Sequence, residues 1–397
     1  MPGILPNKSW LTAYLEYVEE TEPPFLFKLW VGIGSVAAAM QRKCWLDWKL
    51  ERIFPNMYII LCGPPGCRKG TAMRPARYFI EQLGIPLSVE ATTREALIRK
   101  LSKCTVSDPE LEALGYSSVH SSLTVFSEEL TVFLGQNNWQ LMSDLNNWFD
   151  TTDKWTYETV GRGEDTILGV WVNLIGATTP EFLETALPQD AIGGGLTSRI
   201  IFVFGDRKSK LVSEPHITEK EELLRDVLLS DLDRIQMLRG EFKFTKGFFE
   251  LYDKWYKEHN QNPPFTDRNF LGYNDRKALH LRKLAMILCA ARGDSKLLEE
   301  GDLTAALDIL AETEKYMHFS FSGRGRSSQA WLIEQILRRV IAFREVNMQS
   351  LYREYYKDAT KDEIDGIIRH LQAGGYVTVS FNPETKEHIV RFCKRKE

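Results

Sequence analysis

Apolar residues follow two rhythms along the chain. From Trp10 to about Met40 they recur at three- and four-residue spacing (Trp10, Tyr14, Tyr17 and Val18, then Phe27, Trp30, Val31 and Gly34), which is the period of a helix. Pro23-Pro24 divides this stretch into two helices, since proline lacks the amide hydrogen and its ring blocks the preceding turn. Cys44–Trp48 alternates weakly, as a strand would. Met57–Cys62 is a continuous apolar run of the kind that forms a strand buried on both faces. A Gly/Pro-rich loop follows, and then helical spacing to about Leu83.

The alternation continues. Thr93–Leu101 reads as a helix with Glu95 and Arg99 four apart, and Asp108–Ser118 as a loop or insertion. Leu123–Phe126 is a predicted strand and Leu141–Phe149 a helix. Trp155–Val160 and Thr166–Val172 flank Gly161-Arg162-Gly163 as a hairpin, and Val172–Gly176 and Ile200–Phe204 are further apolar strands. Strands alternating with helices predict an α/β fold, a mainly parallel sheet with helices on both faces. From 217 to 320 the spacing is helical with almost no strand signal, and Gly323-Arg324-Gly325-Arg326-Ser327-Ser328 reads as a linker. Beyond it, three helical stretches (Trp331–Ile341, Met348–Tyr356, Asp362–Ala373) and two strands around Asn382-Pro383-Glu384-Thr385 predict a C-terminal winged helix. The expected division is therefore a helical segment at 1–53, an α/β core at 54–210, a helical lid at 211–322 and the winged helix at 327–397.

Charge narrows the choice of partners. Among 397 residues, 50 Lys and Arg against 54 Asp and Glu give a net charge of −4, which excludes a globally basic nucleic-acid coat but not binding through a few basic loops. The third helix of the winged unit carries Asp362, Glu363 and Asp365, a poor surface for entering a major groove. The six cysteines are scattered without a CxxC pair, which fits a reducing cytoplasm and offers no zinc framework. The opening MPGILPNKSW has no basic segment before an apolar run, and Phe25–Met40 is short and holds Lys28, so neither a secretion signal nor a membrane span is expected.

The segment Gly63-Pro64-Pro65-Gly66-Cys67-Arg68-Lys69-Gly70-Thr71 follows a buried strand and opens a helix. A phosphate-binding loop needs that context. Its glycines turn backbone amides inward, the helix N-terminus adds positive potential, and Lys69 reaches the β- and γ-phosphates of ATP. Two positions depart from GxxxxGK[ST]: Arg68 stands at the second glycine and Gly70 at the magnesium-binding hydroxyl, leaving Thr71 as the nearest hydroxyl for Mg²⁺. A second strand, Leu123-Thr124-Val125-Phe126-Ser127, ends in Glu128-Glu129. Such a pair holds Mg²⁺ with one carboxylate, here Glu128, and orients the attacking water with the next, Glu129. A register shifted by one would give these roles to Ser127 and Glu128.

With these two motifs in order, the chain resembles the DUF3987-type P-loop proteins of phages and mobile elements, and the AAA+ core of minichromosome maintenance (MCM) replicative helicases. The resemblance runs from about Phe54 to Leu310. Gly176-Ala177-Thr178-Thr179-Pro180 looks like the AANP of MCM sensor 1, with Thr179 at the Asn position. Leu196–Phe204 looks like LLSRFDLIFV, which implies that Arg199 is the finger reaching a neighbouring subunit's ATP. Asp275–Ala285 followed by Gly301–Ala306 looks like the lid, with Arg276 at the sensor 2 position. The hairpin before the sensor-1-like strand stands where MCM helicases carry a channel-lining hairpin, implying a contact between Arg162 and single-stranded DNA.

The resemblance implies an ATP-dependent DNA helicase, a homo-oligomeric, hexameric ring moving on single-stranded or forked DNA in the cytoplasm, the host's if a phage encodes it. Two rivals stay open: a replication initiator or helicase loader with ATP-switched DNA binding, and a non-hydrolysing nucleotide-binding scaffold, motivated by Arg68 and Gly70.

Overall fold

The computed structural model describes residues 9–393 apart from 89–92, 136–137, 160–162, 188–193, 215, 294, 325–327 and 383–386. The chain forms two compact units, Met1–Ser320 and Phe321–Glu397.

The first unit is mixed α/β. Its central strands are β1 (Tyr58–Cys62), β2 (Leu87–Ser88), β3 (Val119–Ser127), β4 (Val170–Thr178) and β5 (Ile200–Phe204). These five are parallel in the order β5–β1–β4–β3–β2, and Thr105–Ser107 pairs antiparallel with β3 as a sixth strand. The apolar runs explain the placement: β1, β4 and β5 are buried at every position, as strands covered on both faces must be. The antiparallel hairpin Lys154–Thr159 with Gly163–Leu168 precedes β4, and Gly169 at φ +55 separates the two; a Cβ there would lie 2.6 Å from the Val119 carbonyl.

Helices α1 (Trp10–Tyr17) and α2 (Phe25–Met40) break at the paired prolines, as expected. α2 is buried at all but its first residue and lies directly on the sheet. Gly34 allows that approach, since a Cβ there would be 2.5 Å from Ile175 of β4. Asn173, a polar residue inside β4, staples the layers: its Oδ1 accepts from the Met57 amide (3.0 Å) and its Nδ2 donates to the Gly34 carbonyl (3.1 Å). The N-terminal helices thus belong to the same compact unit as the sheet, and the boundaries expected at 53/54 and 210/211 separate no compact units.

Around the sheet stand α3 (Lys69–Gln82), α4 (Trp139–Phe149), α5 (Lys246–Gln261), α6 (Leu271–Arg292) and α7 (Glu300–Met317). The region from 217 on is mainly helical, with one correction. Gly240–Phe244 is a strand that pairs in parallel with Cys44–Trp48, and Leu297–Leu298 pairs with it in turn. Gly-Glu-Phe-Lys-Phe does alternate, but over too few residues to stand out between two helical stretches. No helix among the described residues is long and apolar enough to cross a membrane.

The second unit holds helices Ser328–Phe343, Met348–Glu354 and Lys361–Ala373 and an antiparallel sheet in the order Glu345–Asn347, Glu387–Phe392, Val377–Asn382. Ile336, Val340, Leu351, Ile364 and Val390 fill its core. The acidic start of its third helix has a local cause. Thr360 and Glu363 form a reciprocal cap, with the Thr360 amide donating to Glu363 Oε2 (2.8 Å), and the carboxylates sit at the positive end of the helix dipole.

Candidate functional site

The glycine-rich loop leaves the carboxyl end of β1, where parallel sheets bind ligands. The two flanking strands hold it. The Gly63 amide donates to the Thr178 carbonyl of β4 (3.3 Å), and the Gly205 amide, just past β5, donates to the Cys62 carbonyl (2.9 Å). A Cβ on Gly63 would lie 2.0 Å from the Gly205 carbonyl oxygen, so only glycine fits. Gly66 and Arg68 both adopt positive φ, +85 and +67. The left-handed turn at Arg68 shows why glycine is usual there. Its guanidinium leans onto Glu22, with Nε to Oε2 at 2.5 Å. The Lys208 ammonium (2.9 Å), together with the Val212 amide and Arg68, holds the Glu22 carboxyl below its ordinary range.

α3 starts at Lys69, whose ammonium donates to the Gly63 (2.6 Å) and Pro64 (3.0 Å) carbonyls. The cation is therefore held at the loop, at the helix N-terminus. Pro65 is exposed at the tip, and the Cys67 thiol is buried beneath it, its pKa raised by that burial. Thr71 lies in the first turn of α3, partly buried.

Glu128 follows the last residue of β3, two strands from β1 in the sheet, yet its side chain reaches α3. A Cβ on Gly70 would be 2.5 Å from Glu128 Oε2. The carboxylate takes the room that a Ser or Thr side chain would use, so Gly70 and Glu128 account for each other sterically. Glu129 is exposed and opens the helix Leu130–Leu134, its carbonyl accepting from Val132 (3.0 Å) and Phe133 (3.2 Å). Ser127 stays fully buried within the strand. Thr179, one past the end of β4, caps the helix Pro180–Ala186; its Oγ1 accepts from the Phe182 amide (3.3 Å) and keeps a proton to donate.

The structure thus gathers Gly63–Thr71, Glu128, Glu129 and Thr179 at one edge of the sheet. Arg199 and Arg276 lie at the other. β1 and β5 run in register from Tyr58↔Ile200 to Cys62↔Phe204, so Arg199, just before β5, is about 15 Å from the loop at a rise of about 3.3 Å per residue. Neither arginine projects freely. Arg199 is buried and grips Asp150 through Nε (3.3 Å) and Nη2, while its Nη1 donates to the Gly195 carbonyl (2.7 Å). Arg276 pairs with the same carboxylate through Nη1 (3.5 Å). His280 meets the Ser198 carbonyl (2.9 Å), and Lys283 donates to Asn56 Oδ1 (2.5 Å). Burial brings Lys283 down to about 7 and His280 to about 3. Nothing in the spacing of the sequence singles out Asp150 as the shared partner.

The hairpin before β4 leaves this same amino-terminal edge. On it Trp155 stacks on Tyr157 (6.1 Å), and Arg94 lies over the Tyr157 ring (4.7 Å). Arg162 lies outside the described residues.

No group of three His, Cys, Asp or Glu able to hold a metal occurs among the described residues. Mg²⁺ bound with a nucleotide needs few protein ligands, because phosphates and waters complete its octahedron. One hard carboxylate at Glu128 and one hydroxyl at Thr71, both beside the first turn of α3, are a donor set of that kind. Comparison with known proteins gives no matching family model and no matching curated protein.

Proposed function

We propose that the chain is an AAA+ P-loop ATPase with a helical lid and a C-terminal winged helix, acting as an ATP-dependent DNA helicase in a cytoplasmic hexameric ring. One observation carries the nucleotide site: the Glu128 carboxylate, from a different strand, meets the first turn of α3 beside Lys69. A basic loop and an acidic strand end converge at the carboxyl edge of a parallel sheet, which suits a phosphate with its cation.

In this reading Lys69 leaves the Gly63 and Pro64 carbonyls for the β- and γ-phosphates of ATP, and the amides of the loop donate to the same oxygens. Thr71 and Glu128 would hold Mg²⁺, which would supply positive charge against the phosphates. Glu129, exposed and with no side-chain partner among the described residues, orients the attacking water, and the Thr179 hydroxyl donates to the water or the γ-phosphate. Arg199 is too far from its own loop and serves a neighbour's, with Arg276 beside it. Arg162, which lies outside the described residues, contacts single-stranded DNA in this reading.

The Asp150 grip on both arginines favours a second reading, an ATP-switched initiator or loader, in which hydrolysis awaits release of the finger. Steady-state hydrolysis with and without single-stranded DNA, and strand displacement on a fork, separate the readings. Stimulated hydrolysis with unwinding, both lost in Lys69→Ala and Glu129→Gln, supports the helicase. Hydrolysis without unwinding leaves the loader, and nucleotide binding without hydrolysis leaves the scaffold. For Arg162→Ala, DNA binding weakens with a shallower salt dependence and unwinding stops, while DNA-free hydrolysis persists. Arg199→Ala and Lys69→Ala subunits, each inactive, regain activity when mixed if the finger acts across a boundary.

A further inference from the structure

Away from the phosphate loop, the hairpin Cys44–Ile53, the strand Gly240–Phe244 and helices α5 and α6 enclose an open groove of about 930 Å³. Its walls are Trp48, Phe244, Phe249, Tyr252 and Tyr256, and Arg282 lies among them. The rings are arranged in pairs. Phe244 stacks on Phe249 (5.9 Å, 20°) and Tyr252 on Tyr256 (5.9 Å, 17°), and Phe249 and Tyr256 are each 45% exposed.

Arg282 is the unusual member. It is only 8% exposed, with its guanidinium 4.6 Å from the Trp48 ring centre and 5.8 Å from that of Tyr252. Its Nε donates to the Ala278 carbonyl (3.0 Å). Neither Nη1 nor Nη2 has an acceptor among the described residues, and no carboxylate forms an ion pair with it. Buried guanidinium groups are normally paired, so this one has unfilled hydrogen-bonding capacity. The acids at the groove divide into two kinds. Asp47 is paired with Arg52 (3.1 Å) and Asp253 with Lys257 (2.6 Å), while Glu51 and Asp275 have no ion pair among the described residues.

We infer that this groove is a binding site for an unpaired nucleobase. A base offers flat faces for the rings, an acceptor edge for Arg282, and donor groups for Glu51 or Asp275. Guanine carries both edges and suits the set best. Lys49 and Arg276 also line the groove, but a phosphate seated here would face the two unpaired carboxylates, and an aliphatic side chain would leave the Arg282 guanidinium unsatisfied. The site does not depend on the phosphate loop or on the hairpin at Arg162, and it would give the chain a second hold on a single strand.

The test uses the full chain carrying Lys69→Ala, so that the phosphate loop does not contribute. Fluorescence anisotropy is read with a labelled d(GT) repeat and with an abasic strand of the same length. Base recognition makes the abasic strand bind roughly tenfold or more weaker, a loss in the range of one stacked base. Adding Phe249→Ala and Tyr256→Ala weakens the d(GT) strand by a similar factor while circular dichroism shows the fold retained at the assay temperature. Competition by guanosine monophosphate shows that free nucleotides enter as well, and its failure assigns the site to strands; either result requires the first two. Equal binding of the abasic strand, or unchanged binding by the ring variant, overturns the inference. So does a ring variant that alters only the sedimentation of the protein, which would make the groove an interface between copies. Strand binding lost in Arg162→Ala alone refutes this site and leaves the hairpin reading standing.

Discussion

The two edges of the central sheet handle charge in opposite ways. At the carboxyl edge, Lys69 is held by two backbone carbonyls and the Cys67 sulfur (3.7 Å), and Glu128 has no ion pair among the described residues, only its approach to Gly70. Neither group forms an ion pair among the described residues, so both are lightly committed. At the amino edge, Arg199 and Arg276 share the carboxylate of Asp150, and His280 and Lys283 are buried beside them. There the charges are bound into the fold. A charge meant for a ligand costs little stability to remove, and one built into the core costs a great deal. Substitutions at the two edges should therefore separate turnover from stability.

The largest expected effect is on turnover. Lys69→Ala lowers kcat by a factor on the order of 10² or more, as for other losses of a group that stabilises transferring charge, and leaves the melting temperature unchanged. Hydrolysis rates and a thermal melt on one preparation check both halves, and a large fall in melting temperature would break the contrast. Asp150→Asn should do the reverse to the fold. It strips the buried Arg199 of its partner and costs about 1–3 kcal/mol, less than for a fully buried pair because Asp150 itself is partly exposed. Urea unfolding at neutral pH measures it.

A smaller effect sharpens the carboxyl edge. Gly70→Ser restores the usual hydroxyl but pushes Glu128 aside, and should lower kcat by about tenfold. Shortening the acid in the same chain, Gly70→Ser with Glu128→Asp, should recover most of the loss; a double-mutant cycle with no coupling would mean that the two side chains do not share that space. The last concerns pH. Lys283 titrates at about 7 in the folded chain and at 10.5 when free of the fold. Between these values the unfolded chain binds the extra proton, so stability rises with pH, by at most about 1.4 kcal/mol per pH unit. It is lowest below pH 7, where both states are protonated. Lys283→Met should flatten this rise in urea melts taken from pH 7 to 9.

The sequence shows the carboxyl edge far better than the amino edge, for a physical reason. The glycine-rich loop is local: Gly63, Lys69 and the strand before them are contiguous, and an apolar strand ending in two acids is equally compact. The Asp150 grip joins residues 49 and 126 positions apart, and no pattern near Phe149-Asp150 announces it. Likewise the groove takes Trp48 from a hairpin, Phe249 and Tyr256 from α5 and Arg282 from α6, each of which reads singly as part of an amphipathic element. The mutual fit of Gly70 and Glu128 had a visible half, the missing hydroxyl, but its cause lies two strands away. The strand at Gly240–Phe244 was hidden by its length.

The position of β1 also has a consequence for how the protein is made. This strand is the most apolar element near the start of the chain, and its hydrogen-bonding partners are β4 and β5 on either side. Both are encoded more than 100 residues later, and β5 about 140 residues after β1 ends. At roughly 5–20 residues per second, a ribosome releases β1 on the order of ten seconds before its second neighbour exists. Throughout that interval both edges of an aggregation-prone strand stay open, and the loop at its end has neither of the backbone contacts that shape it. Slow synthesis between residues 62 and 200, or a shortage of chaperones, should therefore reduce the yield of soluble protein more than any surface substitution in the finished fold.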